Sequence, residues 1–271
     1  MIQRTKIVNC IQINMAEMKY LIAFFLVILM NFTISAQKNF KQDQLKFERV
    51  KTAYDLKWPS LEKELQKAGF GNGFEMIMQA YKAEGKLEIW LKTAKQDKFS
   101  LFKTYDACAK SGTLGPKVIE GDLQTPEGFY KINVFNPMST YHLSLGIDFP
   151  NAVDKTRTGK DRKTGGDIYI HGDCVTVGCI PLTDDKIREV YVLAVEAINS
   201  GQKDIPVYIF PFKMTDANMK KYTEEFPQHK PFWAFLKKGY AFFDEKKEKI
   251  NYVIKSGMYV LSLKPIEADH N

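Results

Sequence analysis

The residues with the most chemistry in the shortest stretch are Ile170-His171-Gly172-Asp173-Cys174-Val175-Thr176-Val177-Gly178-Cys179-Ile180-Pro181-Leu182-Thr183-Asp184. A histidine stands eight residues before a cysteine, and that cysteine follows a glycine. A free thiol titrates near pH ~8.5, so an imidazole that removes its proton turns it into a nucleophile at neutral pH. Gly178 leaves the space beside the sulfur clear for a substrate carbonyl. Backbone N–H groups around Gly178 and Cys179 can then face a developing oxyanion. In that case a low-pKa Cys179 would label with a thiol probe well before Cys108 or Cys174. Two blander readings use the same residues. In one, Cys174 and Cys179 are ordinary buried thiols, or pair with each other or with Cys108. In the other, His171, Cys108, Cys174 and Cys179 hold zinc. A Cys-x4-Cys pair with a histidine three residues upstream is not a usual zinc spacing, and thiolate sites are less expected in an oxidising compartment. The expectation is therefore no metal and no cofactor.

The elements that must position these residues are legible around them. Asp167 to Ile170 reads as a short strand that ends at His171. Thr183 reads as an N-cap, with Asp184 and Asp185 in a first turn that favours negative charge. Ile187, Val190, Tyr191, Ala194, Val195 and Ile198 then fall on one helical face, and Ser200-Gly201 closes the helix. Upstream, residues 41 to 69 are helical in pattern, interrupted at Pro59. Phe74 to Tyr81, Leu87 to Lys92, Phe99 to Tyr105, Gly128 to Val134, Tyr141 to Leu145 and Val207 to Phe212 read as strands. Leu87, Ile89 and Leu91 alternate with Glu88, Trp90 and Lys92, the period of a half-buried strand. Residues 151 to 167 are polar and read as a surface loop. Glu127, in the turn Thr125-Pro126-Glu127-Gly128, either lines the groove or, as the default reading of a turn carboxylate, is solvated. Beyond Pro211, Phe232, Trp233, Phe235, Tyr240, Phe242 and Phe243 crowd together, either as a stacking surface for sugars or peptides or, as aromatic clusters more often do, as packing.

The chain has 271 residues, 45% hydrophobic and 26% charged, which excludes a disordered or fibrous protein. Lys19 precedes the apolar run Tyr20 to Met30, and Ser35-Ala36-Gln37 follows, which reads as a signal peptide over residues 1–36. An uncleaved anchor is the alternative, and the membrane is a partner only in that case. Cleavage after Ala36 removes Arg4, Lys6, Glu17 and Lys19, lowering the net charge from +7 to +5. It also removes Cys10 and leaves three cysteines, so at least one thiol stays free. The expected location is the periplasm or cell envelope. Basic residues do not interleave with aromatics in the manner of a nucleic-acid surface, so no nucleic-acid partner is expected.

The segment around His171 and Cys179 resembles the active-site motif of the L,D-transpeptidase (YkuD-type) catalytic domain, a His-Gly followed by Ser/Thr-x-Gly-Cys. It is most similar to the murein-tailoring YafK-like branch, in which the histidine and cysteine lie close together. Ser111-Gly112-Thr113-Leu114-Gly115-Pro116-Lys117, Glu120-Gly121-Asp122, Thr125-Pro126-Glu127-Gly128-Phe129-Tyr130 and Tyr141-His142-Leu143-Ser144-Leu145 carry further likeness, over roughly residues 73 to 212. The resemblance implies a nucleophile at Cys179, a general base and acid at His171, and an oxyanion contact from Gly178 with the Cys179 N–H. It places Thr176 and Gly172 with the substrate, and His142 is a candidate second active-site histidine. It also implies attack on a peptide bond of a peptidoglycan stem, a thioester, and transfer to an amine or to water. Two departures stand out. Pro181 occupies the place of an arginine found in many members, and Val177 that of a second histidine. Lys110, Lys117 and Arg162 are the candidates to replace the arginine.

The expected fold is α+β: a helical lead-in over 37–72, a mostly β catalytic domain over 73–212 with flanking helices, and a mixed α/β C-terminal extension over 213–271. Three functions fit. The first is an exported cysteine acyltransferase on stem peptides, with a wall-anchored protein as a further acceptor or substrate. The second is a hydrolase of the same fold, and the third an inactive wall-binding module.

Overall fold

The computed structural model describes residues 40–262; the expected signal segment lies outside the described residues. The first long helix, α1 (Glu48–Lys67), leads into three strands, β1 (Glu75–Tyr81), β2 (Lys86–Lys92) and β3 (Ser100–Asp106). Then come β4 (Gly128–Asn136), β5 (Ser144–Ile147), a short helix α2 (Ala152–Thr158), β6 (Tyr169–His171) and β7 (Ile180–Pro181). Helix α3 (Asp184–Asn199) and strand β8 (Pro206–Phe210) complete the central unit. The C-terminal segment adds α4 (Asp216–Glu225), α5 (Lys230–Lys246) and a hairpin of β9 (Asn251–Lys255) and β10 (Met258–Ser262). The result is the mixed α+β architecture expected.

Eight strands form one sheet in the order β3-β2-β1-β8-β4-β5-β6-β7. Its pairs are antiparallel except β1 with β8 and β6 with β7. The sheet curls until the end of β3 approaches the far edge, where the Cys108 N–H donates to the Pro181 carbonyl at 3.1 Å.

Strand alternation explains the layering. In β1 and β8, Met76, Met78, Val207 and Ile209 face a core shared with α1 and α3. Their neighbours Ile77, Tyr81, Tyr208 and Phe210 face a second core built with Trp233, Leu236 and Phe243 of α5. Both faces of the central strands are thus covered, which corrects the half-buried reading of β2: Glu88 is 4% exposed. Its carboxylate is compensated by Lys213 Nζ at 2.9 Å and the Trp90 indole N–H at 3.0 Å. None of the six aromatics between Phe232 and Phe243 is exposed, so they serve packing.

Three local readings need correction. Pro59 does not interrupt α1, because Val50, Ala53 and Tyr54 before it and Leu61 and Leu65 after it are all buried. That packing outweighs the roughly 3 kcal/mol cost of an interior proline. The 151–167 segment is not all loop. Asn151 accepts from the N–H groups of Val153 and Asp154, and Asp154 accepts in return from the Asn151 N–H, a capping box that starts α2. Tyr141 to Leu143 is a turn rather than strand, with His142 at φ +66°.

Candidate active site

Cys108 and Cys174 form a disulfide, with Cα atoms 5.4 Å apart, and Cys179 is the free cysteine among the described residues. The bridge ties the segment after β3 to the 172–178 loop. It also takes two of the four ligands that a zinc site would need.

The register of β6 on β7 pairs Ile170 with Ile180 and His171 with Pro181. Cys179 sits one residue before β7, and its sulfur accepts the Tyr169 N–H at 3.4 Å. The nucleophile candidate is therefore anchored on the strand that carries His171, two residues before it. The thiol also lies 3.6 Å from the Asp167 carbonyl. Burial raises the Cys179 pKa, against the opposing effect of the Tyr169 N–H, so the thiol rests protonated at neutral pH. This corrects the expected low-pKa cysteine. The expected labelling order also falls away, since Cys108 and Cys174 have no free thiol to label.

His171 is 1% exposed. Its Nδ1 lies 2.5 Å from the Gly172 carbonyl, an acceptor only, so Nδ1 carries the proton and Nε2 the lone pair. Burial lowers the His171 pKa and keeps the ring neutral. The ring of Tyr141 lies over it, with centroids 4.7 Å apart. Sequence reading placed Tyr141 only in a motif; its contact with the histidine depends on the turn at His142.

Gly172 holds its place by close approach. A Cβ there would come 2.6 Å from Asp184 Oδ1 and 3.0 Å from the Tyr141 carbonyl. Its N–H donates to the Leu143 carbonyl at 3.1 Å. Gly178 has φ +133°, and a Cβ there would stand 2.9 Å from the Gln124 carbonyl. Thr176 shapes the same turn: its hydroxyl donates to the Cys179 carbonyl at 2.8 Å and accepts the Gly178 N–H at 3.2 Å. Among the described residues no acceptor engages the Cys179 N–H. His142 stands apart from the sulfur's contacts. Its Nδ1 is 4.0 Å from Asp184 Oδ2, and its carbonyl accepts from Arg49 at 2.8 Å.

Cys179 lines a cavity of about 310 Å³ together with Tyr81, Lys82, Lys110, Thr113 and Phe226. Of the cations weighed for the missing arginine, Lys110 stands at this wall, its Nζ on the Ala83 carbonyl at 2.6 Å. Lys117 is instead buried on Asp122 at 2.6 Å, and Arg162 donates to the Thr158 carbonyl. Glu127 is not a solvated carboxylate. It is fully buried, and it accepts from Lys82 Nζ at 2.9 Å, the Gly115 N–H at 2.8 Å and the Trp233 indole N–H at 2.8 Å. It ties the cavity wall to α5, which sequence spacing could not reveal.

The sequence family described as the L,D-transpeptidase catalytic domain (YkuD) matches residues 97–209. The chain is 38% identical over 196 residues to YafK of Escherichia coli strain K12 and to YafK of strain O157:H7, covering 72% of this chain and 76% of those proteins. Among solved structures, the helical cell shape determining protein Pgp2 from Campylobacter jejuni is 21% identical, covering 67% of this chain and 73% of that one at a TM-score of 0.41. Bd1075 of Bdellovibrio bacteriovorus is 22% identical, covering 64% and 62% at a TM-score of 0.36. The chain belongs to the L,D-transpeptidase family.

Proposed function

We propose that this protein is an exported cysteine acyltransferase that acts on peptidoglycan stem peptides through a thioester on Cys179. The observation that carries the reading is the position of the unbridged thiol, at the wall of a cavity and hydrogen-bonded to the strand that bears His171.

The chemistry follows from the protonation states. Neutral His171 takes the thiol proton on Nε2 as the sulfur attacks the donor carbonyl, so no thiolate–imidazolium pair exists at rest. The unengaged Cys179 N–H is the donor for the oxyanion; the Gly178 N–H is held by Thr176 and shapes the loop instead. Collapse of the intermediate expels the donor's amine, which receives the proton from His171. An acceptor amine, or water, then attacks the thioester and returns the thiol. Lys110 at the cavity wall is the cation for a donor carboxylate. The Cys108–Cys174 disulfide suits an oxidising compartment and supports export.

The test is product analysis after incubating residues 37–271 with purified muropeptides. Cross-linked products mark a transferase, and shortened or uncoupled stems mark a hydrolase. Binding without turnover would turn the reading to a wall-binding module.

A further inference from the structure

His171 ends a strand of three residues, yet it is almost wholly buried. One face of its ring is covered by Tyr141, with ring planes 30° apart and centroids 4.7 Å apart. Tyr141 is itself 41% exposed, so its ring stands between the imidazole and solvent. The Tyr141 hydroxyl has no partner among the described residues, so the ring alone makes the contact. Hydrogen bonding fixes His171 at one atom, Nδ1 on the Gly172 carbonyl. An imidazole held at one edge can still tilt about that bond, and a second ring laid on its face removes the tilt.

Tyr141 is held there partly by its own turn and partly from α1. The Met138 N–H donates to Asn136 Oδ1 and the Tyr141 N–H to Ser139 Oγ, each at 3.1 Å, which shapes the start of the turn. Its far side needs His142 at φ +66°, a conformation uncommon for a residue with a side chain. Arg49 stabilises it. One guanidinium nitrogen donates to the Ser139 carbonyl at 2.5 Å and to the His142 carbonyl at 2.8 Å, charge-assisted bonds of the stronger kind. Those two carbonyls bracket Tyr141, so the guanidinium clasps the turn on both sides of the ring. Helix α1 lies upstream of residues 97–209, the span that matches the catalytic-domain family.

Resting on the acyltransferase reading above, we infer that Arg49 and Tyr141 are positioning residues for the general base: α1 fixes the turn, and the turn lays Tyr141 on His171, so that the imidazole keeps one orientation and stays dry. A fixed ring keeps the Nε2 lone pair in one direction through each proton transfer, where a misplacement of about 1 Å costs on the order of 100-fold. A dry ring keeps the base neutral, because water favours the imidazolium. The titratable and charged groups on the elements around His171 are Asp173 on its own loop, Asp184 at the start of α3, Tyr141 and His142 on the turn, Arg49 behind that turn and Cys179 before β7. Removing the Tyr141 ring admits water and leaves the other groups in place.

Two measurements test this: kcat and KM for a stem-peptide donor, and NMR titration of the His171 imidazole, which needs no turnover. Tyr141→Ala is expected to lower kcat by about 10- to 100-fold with KM unchanged. It should also move the His171 midpoint up toward its ordinary value of 6.5, because burial is what holds it down and water relieves that burial. Tyr141→Phe, which returns the ring without the hydroxyl, should restore both. Arg49→Met should shift both in the same direction as Tyr141→Ala. A residue that only stabilised the fold would lower the melting temperature and leave the midpoint in place. A wild-type kcat and midpoint in Tyr141→Ala or in a folded Arg49→Met, or no restoration by Tyr141→Phe, overturns the inference. The exposed Tyr141 keeps the test decisive should Arg49→Met fail to fold. No thioester on wild-type Cys179 overturns the reading beneath, and the NMR midpoints then still decide whether Tyr141 keeps His171 dry.

Discussion

The indole N–H of Trp233 donates to Glu127 Oε2 at 2.8 Å across 106 residues of sequence, and the other oxygen of that carboxylate holds Lys82. The C-terminal segment is therefore wired into the cavity wall rather than appended to it. Glu127→Gln leaves the Lys82 ammonium buried without its counter-charge and is expected to cost about 3–5 kcal/mol. Trp233→Phe keeps an aromatic side chain but removes the indole N–H, leaving Glu127 one donor short for about 1–3 kcal/mol, to which the space vacated by the smaller ring adds. Urea unfolding of the two variants beside wild type measures both, and equal stability of all three would contradict the wiring.

Reading the sequence alone reached the strands of the central sheet and the helix after Cys179, because alternation at Leu87, Ile89 and Leu91 and the cap at Thr183 are local signals. It misread Glu88 and Glu127 as exposed because part of what compensates each, Lys213 for Glu88 and Trp233 for Glu127, lies more than 100 residues away, and no local pattern shows that Lys82 meets Glu127. The capping box at Asn151 was hidden by the polar run around it. The turn at His142, which sets Tyr141 over His171, has no local signature, since a positive φ at a histidine is uncommon. The pairing of Cys108 with Cys174 depends on the curl of the whole sheet.

That pairing yields a second prediction. The bridge spans 66 residues, and its removal in a Cys108→Ser/Cys174→Ser double variant is expected to cost about 2–5 kcal/mol. Turnover should fall as well, since both sides of the loop at Cys179 are released. A thermal melt and a turnover assay of the same sample check this. Thiol titration of unfolded residues 37–271 should find one reactive sulfur, rising to three after reduction.

The pH dependence follows from burial. His171 is held below its ordinary value of 6.5, so the base remains neutral, and kcat/KM on the acid side should fall only at a midpoint below pH 6.5. Cys179 is held above its ordinary value of 9.0, so alkylation of the free protein should climb with pH into the alkaline range. An alkylation midpoint near neutrality would instead reveal a preformed ion pair. His171→Ala is expected to lower turnover by about 100- to 10,000-fold.

Gly178→Ala places a methyl group against the Gln124 carbonyl at a φ that disfavours side chains. The expected cost is about 1–3 kcal/mol of stability, with a larger loss of activity as the Cys179 N–H swings off the carbonyl. Turnover measured beside an unfolding curve separates the two effects.

The central claim is tested most directly by intact-mass spectrometry of residues 37–271 mixed with a stem-peptide donor and quenched in acid. The account predicts a hydroxylamine-labile acyl adduct that maps to Cys179 and is absent from Cys179→Ala. Turnover with no adduct at any quench time, or an adduct retained by Cys179→Ala, would contradict it.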